Sequence, residues 1–248
     1  MSPRILIAGG YGVVGGWVAR HIRAAGHDVE LILAGRNPAD GEVLARELGA
    51  RTARLDVSDP DLTEMGPVDL VVAALQDPRE ALLLAALRSG AAHIGVTRTA
   101  DTMSPVAVAA AAFASRPVLL LGHWQAGAMT LAALAAARDF TRVERIDMAA
   151  LYDYADPIGP MTAGDSQGFV GRALTRSEGL WVSVDAGLSG RQVVRRRQPA
   201  FDAMPMGVLD VPGLAIITGA PNVRFDLGTG ESRGTQAGRA ASHELFID

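Results

Sequence analysis

Gly10, Gly12 and Gly15 stand as Gly-x-Gly-x-x-Gly between a compact apolar run, Ile5 to Ala8, and a helical stretch, Val13 to Ala25. In that setting the first glycine permits a tight turn and the second lets a pyrophosphate approach the backbone. The third lets the helix pack close to the strand. Phosphates would meet the N–H groups of Tyr11, Gly12, Val13 and Val14 at the positive end of the helix. A purely structural turn is the alternative, since the chain has 28 glycines. Twenty or so residues on, sites for NAD usually carry an Asp or Glu that binds the ribose hydroxyls. Here the second strand ends Ala34-Gly35-Arg36, and Glu30 comes too early for that role. Arg36 can hold a 2′-phosphate through its planar fork, so NADP(H) is expected over NAD(H); a solvated loop arginine is the other reading. Asp56 and Val57 close the third strand, where they could flank adenine. Ala74 and Leu75 close the fourth, where small residues admit the nicotinamide half. Plain strand packing is the alternative for both pairs.

For proton chemistry the first candidate is His123, because histidine titrates near neutral pH. It follows a strand expected to end beside the nicotinamide, and Trp124 and Gln125 could shape and hydrogen-bond a substrate. A structural histidine is the competing reading. Tyr152, Asp153 and Tyr154 begin the densest polar and aromatic cluster, Tyr-Asp-Tyr-Ala-Asp-Pro, followed by a Gly/Pro-rich run to Ser166. Loops on a rigid scaffold often carry substrate contacts, so substrate lining is weighed there against an ordinary loop. No metal site is expected from Asp153, Asp156 and Asp165. His93, inside a strand-like run, reads as a packed core residue. Arg195-Arg196-Arg197 reads as a solvated strand edge that discourages sheet association, with a substrate carboxylate as the other possibility.

The elements that position these residues alternate through the first half. Strands are expected at Ile5–Ala8, Val29–Ala34, Thr52–Val57, Asp69–Leu75, Ala92–Val96 and Val118–Leu121. Helices fall between them at Val13–Ala25, Pro38–Leu48, Pro78–Arg88 and Pro105–Ser115. Continuous apolar strands separated by helices indicate a parallel sheet covered on both faces, the doubly wound Rossmann-type α/β fold. After Leu121 comes a helix, Gly127–Arg138, then a strand, Val143–Leu151. Further strand-like runs follow at Leu180–Val184, Arg191–Arg197, Leu214–Ile217, Val223–Leu227 and Ser242–Ile247. Strands without intervening helices indicate a mixed or antiparallel sheet. Two domains result: residues 1–121, binding a dinucleotide, and 122–248, a smaller α+β domain for substrate and dimerisation. The chain stops in a strand-like run, Phe246-Ile247-Asp248, so this second domain is expected to be a short version or incomplete.

Composition removes several chemistries. There is no cysteine, so thiolate nucleophiles, thiolate metal sites and disulfides are excluded. All 23 basic residues are arginine, so Schiff-base chemistry is excluded. So is the tyrosine–lysine mechanism of short-chain dehydrogenases. A net charge of -4 gives no reason to expect nucleic acid or an anionic membrane as partner. No targeting segment or membrane span is read, and the cytoplasm is the default location.

The residues quoted above carry a resemblance. Ile7-Ala8-Gly9-Gly10-Tyr11-Gly12-Val13-Val14-Gly15 and Leu33-Ala34-Gly35-Arg36-Asn37-Pro38 resemble the NADP-binding half of the saccharopine dehydrogenase-like oxidoreductases. The likeness continues through Ser89–Ile94 and Gly122–Gly127 and covers roughly residues 4 to 140. It implies hydride transfer with NADP(H) to a small organic substrate, commonly at a C=N or C=C bond, often in a homodimer. Members that make lysine use a catalytic lysine, which this chain lacks. Many members also carry an acidic residue where this chain reads Gly95-Val96-Thr97-Arg98. The expected function is therefore an NADP(H)-dependent oxidoreductase with its substrate held between the two domains. A non-catalytic NADP(H)-binding regulator is the alternative.

Overall fold

A computed structural model describes residues 2–95, 103–156, 171–195 and 198–248. They form two compact units of similar length, the first closing at Leu121 and the second opening at Gly122.

The first unit is a six-stranded sheet, every neighbouring pair parallel, in the order β3-β2-β1-β4-β5-β6. Its strands are β1 (Arg4–Ala8), β2 (Glu30–Gly35), β3 (Arg51–Arg54), β4 (Leu70–Ala73), β5 (Ala92–Gly95) and β6 (Val118–Leu120). Its helices are α1 (Val13–Ala24), α2 (Glu42–Leu48), α3 (Ala81–Arg88) and α4 (Met103–Phe113). Successive strand residues point to opposite faces, and here both faces are apolar. Leu6, Ile32, Val71 and Ala73 build one core with Leu82 and Ala86 of α3. Ile7, Leu31, Leu33 and Val72 build the other with Ala19 of α1 and Ala45 of α2. Each fully buried Leu or Ile contributes about 1.5–3 kcal/mol, so the central strands are the most firmly held part of the unit. Glu30 lies at the opposite end of β2 from Arg36. There it bridges Arg4 at 2.7 Å and Arg51 at 2.9 Å, and these two guanidiniums, Arg4 first, hold its carboxyl below the usual range.

Two boundaries differ from expectation. α3 begins at Ala81 rather than Pro78, because the Asp77 carboxylate accepts from the Leu83 N–H at 3.1 Å and Glu80 takes a left-handed conformation ahead of the first turn. β3 stops at Arg54, and Asp56 turns its carboxylate back to the Ser58 N–H at 2.9 Å.

The second unit is a mixed seven-stranded sheet. Its strands are β7 (Arg145–Tyr152), β8 (Arg172–Ser177), β9 (Leu180–Asp185), β10 (Arg191–Arg195), β11 (Gln198–Pro205), β12 (Asn222–Thr229) and β13 (Glu244–Ile247). Its helices are α5 (Ala128–Ala137), α6 (Asp210–Thr218) and a short α7 (Arg233–Gln236). The strand order is β10-β11-β12-β7-β13, with β8 on β12 and β9 on β8, and only the β12–β7 pair is parallel. Met129 of α5 and Val211 and Leu214 of α6 pack on Ile146, Met148, Val223 and Phe225.

The run Leu214–Ile217 is helical, not a strand. Four apolar residues fit either period, but Asp210 opens a helix there and Gly219, at φ +71°, closes it. β8 and β11 were not anticipated from the sequence. Arg195 is buried rather than solvated: it donates to the Pro199 carbonyl at 2.7 Å and lies over the Phe201 ring. Arg196 and Arg197 lie outside the described residues.

Candidate functional site

In the first unit, strand order reverses between β1 and β4, the place where open α/β sheets leave a crevice at the carboxyl ends of their strands. The loop Gly9–Gly12 leaves β1 at that point. Gly9 has φ +75°, and a Cβ on it would lie 2.9 Å from the Ala74 carbonyl oxygen. The Gly9 and Gly10 N–H groups both donate to the Ala34 carbonyl, at 2.8 and 3.2 Å, which fixes the turn against β2. A Cβ on Gly15 would stand 2.2 Å from the Gly9 oxygen and 2.8 Å from the Gly10 Cα, so α1 approaches the loop as only glycine allows.

The first intrahelical bond of α1 runs from the Gly16 N–H to the Gly12 carbonyl at 2.8 Å. The N–H groups of Val13, Val14 and Gly15 therefore have no acceptor within the helix, and no side chain caps them. With Val13 and Val14 exposed, this end of α1 fits an anion. Ala74 and Leu75 flank the same crevice: the Ala74 N–H donates to the Ala8 carbonyl at 2.9 Å, and Leu75 packs at the edge of the core.

Tyr11 points elsewhere. Its ring lies against Gly35 and Gly41, and its hydroxyl oxygen accepts from the Asn37 N–H at 3.1 Å. Arg36 and Asp56 are exposed and Val57 is partly buried on the core. The Asp56 carboxyl is held below its ordinary range, first by the Ser58 hydrogen bonds and then by the charges of Arg36 and Arg54. Arg54 thus joins Arg36 at the end of β2 and β3. Sequence reading missed it because the pairing of Gly35 with Arg54 across the two strands is a matter of register.

In the second unit, Trp124, Gln125, Tyr152 and Tyr154 come together, and a residue that nothing local marks completes the group. His243, just ahead of β13, faces the Gln125 amide with Nδ1 at 2.7 Å and the Asp156 carboxylate at 3.6 Å. Its ring lies 5.1 Å from the Tyr152 ring and 6.2 Å from Trp124. Tyr152 packs edge-on to Tyr154 at 5.5 Å, and its hydroxyl donates to the Asp156 carbonyl at 3.3 Å. Burial, then the Asp156 charge, pushes the Tyr152 phenol up, so it remains a neutral donor. Trp124 leans on Phe225, and its buried indole N–H has no acceptor among the described residues.

The loop that presents Trp124 and Gln125 is tied to α6. Gln125 and Ala126 both take left-handed conformations, with φ of 49° and 54°, and Gly127 follows at 89°. Non-glycine residues in that region cost roughly 1 kcal/mol or more each and persist only where the surroundings impose them. The imposing residue is Asp210, fully buried at the start of α6. It accepts from the Trp124 N–H and the Thr130 hydroxyl, each at 2.6 Å.

Two expected site residues sit apart from the cluster. His123 lies against Gly213 at α6, with 3.4 Å between its Nε2 and the point where a Cβ of Gly213 would be. Asp153 is buried and spends its carboxylate on structure, accepting from Thr235 Oγ1 at 2.5 Å, the Ser232 N–H at 2.8 Å and the Ala155 N–H at 3.0 Å. Those bonds, Thr235 first, hold its carboxyl well below the usual carboxylate range. Asp165, with the rest of the run 157–170, lies outside the described residues, as do Val96, Thr97 and Arg98.

The chain matches no protein-family model, and no curated protein matches it in sequence. Solved structures do match its fold. Saccharopine dehydrogenase (L-Glu forming) from Saccharomyces cerevisiae superposes with a TM-score of 0.60 at 17% identity, over 92% of this chain and 55% of that one. The scyllo-inositol dehydrogenase of Lactobacillus casei, solved with NAD(H) and scyllo-inositol, gives 0.57 at 14% identity, over 100% and 74%. The WlbA dehydrogenase of Thermus thermophilus, in complex with NAD and alpha-ketoglutarate, gives 0.56 at 13% identity, over 99% and 81%. The chain spans little more than half the length of the yeast enzyme, and what it shares with all three is their fold: a parallel Rossmann-type sheet followed by a separate sheet unit.

Proposed function

We propose that this chain is an NADP(H)-dependent oxidoreductase of the saccharopine dehydrogenase-like kind, acting on a small organic substrate at a C=N or C=C bond. The observation that carries this reading is the glycine loop at the reversal of strand order, with three N–H groups at the start of α1 that no side chain caps. Gly12 leaves room for a pyrophosphate there, Gly10 and Gly15 let the turn and α1 pack closely, and Arg36 with Arg54 offers a 2′-phosphate two guanidiniums. When bound, the cofactor supplies or accepts the hydride. Residues 1–121 would hold it, and Trp124, Gln125, Tyr152 and Tyr154 of residues 122–248 would hold the substrate.

The protein's part is then to bind, orient and move one proton. Within the second unit's cluster His243 is suited to the proton. The Gln125 amide N–H donates to its Nδ1 and so fixes the ring, with the Asp156 carboxylate 3.6 Å away, leaving Nε2 as the exchanging atom. In this role it displaces His123, which stands apart from the cluster. We also propose a homodimer, as the resemblance implies, with the cytoplasm as its default location; light scattering on the purified chain checks the assembly.

The test is a fluorescence titration of purified protein with NADPH and NADH, for the wild type and Arg36→Ala. Binding of NADPH at least tenfold tighter, with the gap closed by the substitution, is the expected result. Equal affinities remove the role of Arg36, and binding of neither cofactor removes the reading. Tight NADPH binding without turnover on a panel of imines, oxo acids and enones would instead make the chain a cofactor-binding regulator.

A further inference from the structure

We infer that Tyr11 sets cofactor choice, by occupying the place at the end of β2 where a ribose-binding carboxylate would stand. The inference rests on the dinucleotide-binding reading above and adds to it the residue that decides between cofactors. A Cβ on Gly35, the last residue of β2, would lie 2.3 Å from the Tyr11 hydroxyl oxygen and 2.6 Å from Cζ. A Cβ on Gly41 would lie 2.6 Å from the ring's Cδ1. Neither glycine has a positive φ, so neither is required by its backbone conformation. What their missing side chains provide is a slot, and the slot holds one tyrosine ring. The hydrogen bond from the Asn37 N–H to the Tyr11 hydroxyl pins the ring at its far end.

An NAD-type site needs an Asp or Glu at the end of the second strand to bind both hydroxyls of the adenosine ribose. At Gly35 such a side chain could enter only if the ring left its slot and gave up the Asn37 bond. With the carboxylate excluded from Gly35, Arg36 and Arg54 stand beside Asp56 at the ends of β2 and β3, while Asn37 and Thr52 donate to the nearby carboxylates of Asp40 and Glu42. The two guanidiniums can meet a 2′-phosphate on the adenosine ribose. Tyr11 thus excludes one cofactor by volume, while the arginines attract the other by charge.

The experiment titrates NADPH and NADH against wild type, Gly35→Asp, Tyr11→Ala and the Tyr11→Ala/Gly35→Asp double variant, following cofactor fluorescence. Gly35→Asp alone should weaken NADPH at least tenfold without binding NADH more tightly than wild type does. The double variant should bind NADH at least tenfold more tightly than Gly35→Asp and prefer it to NADPH. Tighter NADH binding by Gly35→Asp alone, or no gain in the double variant, would overturn the inference and leave the dinucleotide reading standing. Binding of neither cofactor by folded wild type would overturn both. If Gly35→Asp does not fold, thermal unfolding of Gly35→Ala decides: its loss of melting temperature should vanish in the Tyr11→Ala background, and persistence of that loss would refute the slot.

Discussion

Asp210→Ala is the perturbation from which the second unit's candidate site has most to lose. Asp210 is 0% exposed, and its two oxygens accept from the Trp124 N–H and the Thr130 hydroxyl at 2.6 Å each. The Thr130 hydroxyl can rotate to a helix carbonyl, but the Trp124 N–H has a fixed direction. A buried donor left without an acceptor costs about 1–3 kcal/mol. The carboxylate also faces the positive end of α6, worth about another 0.3–1 kcal/mol. Relief of the carboxylate's own desolvation offsets part of this, so the net loss should be about 2–3 kcal/mol. That equals the order of the strain held by Gln125 and Ala126, so the loop should relax and Gln125 should leave His243. The assay is urea unfolding followed by Trp124 fluorescence, in a background carrying Trp17→Phe and Trp181→Phe. The midpoint should fall with an unchanged slope. Thr130→Val, costly in the wild type, should be nearly neutral in the Asp210→Ala background. A loss below about 1 kcal/mol, or strictly additive effects of the two substitutions, would refute this account of how the loop is held.

Three further outcomes are expected. Gly15→Ala places a methyl group 2.2 Å from the Gly9 carbonyl oxygen, so α1 and the loop must separate. Overpacking of this kind costs about 1–3 kcal/mol, and losing one charge-assisted N–H bond to phosphate should weaken NADPH by roughly 10- to 100-fold in a titration; unchanged affinity would deny the loop its role. The Asp153 carboxyl is depressed in the folded protein, so its stabilisation is complete above the unfolded value near 3.9 and is lost as pH falls below it. Asp153→Asn should therefore lower the melting temperature at pH 7 and much less near pH 2, and an equal loss at both would contradict the assignment. His243→Asn should cut NADPH turnover on an active substrate by roughly 10²–10⁴-fold while leaving the NADPH affinity unchanged, whereas His123→Asn should change turnover by less than about threefold. The reverse ranking would return the proton to His123.

What could be read from the sequence was what local pattern specifies. The alternation of apolar strands and helices before Leu121 and the Gly10–Gly15 spacing both lie within a few residues, and the parallel sheet carries both. The run Leu214–Ile217 was misread because four apolar residues fit a strand or a buried helix, and the deciding signals, Asp210 and Gly219, lie outside the run. β11 escaped because its buried positions, Phe201, Ala203 and Pro205, include a small residue and a proline, and an apolar Met204 stands among the exposed ones. In the candidate site Trp124, Gln125, Tyr152 and Tyr154 stood out as residue types, and the second unit does bring them together. His243 did not stand out, because its meaning comes from Gln125, 118 positions away along the chain. Asp153 showed the opposite error: a carboxylate in a polar cluster reads as reactive until its acceptor sites are found occupied by Thr235, Ser232 and Ala155.

A chain without cysteine or lysine has few ways to move a proton near neutral pH, and this narrows the candidates further than the motif does. Of its five histidines, His21 and His27 are exposed, in the last turn of α1 and just beyond it, at the other end of that helix from the glycine loop. His93 is 2% exposed within β5, so it cannot meet a substrate. His123 and His243 remain. His123 lies against the backbone of α6 and makes no side-chain hydrogen bond to the cluster among the described residues. His243 has an amide and a carboxylate on one ring nitrogen and two aromatic rings beside it. A reductase of the proposed kind would need no dedicated lysine: Tyr152 would stay protonated, His243 would exchange the proton, and the strained loop at Gln125 would keep its ring in place. The cost of that strain is met by one buried aspartate, so the rigidity of the proposed substrate site should depend on Asp210 more than on any residue a substrate touches.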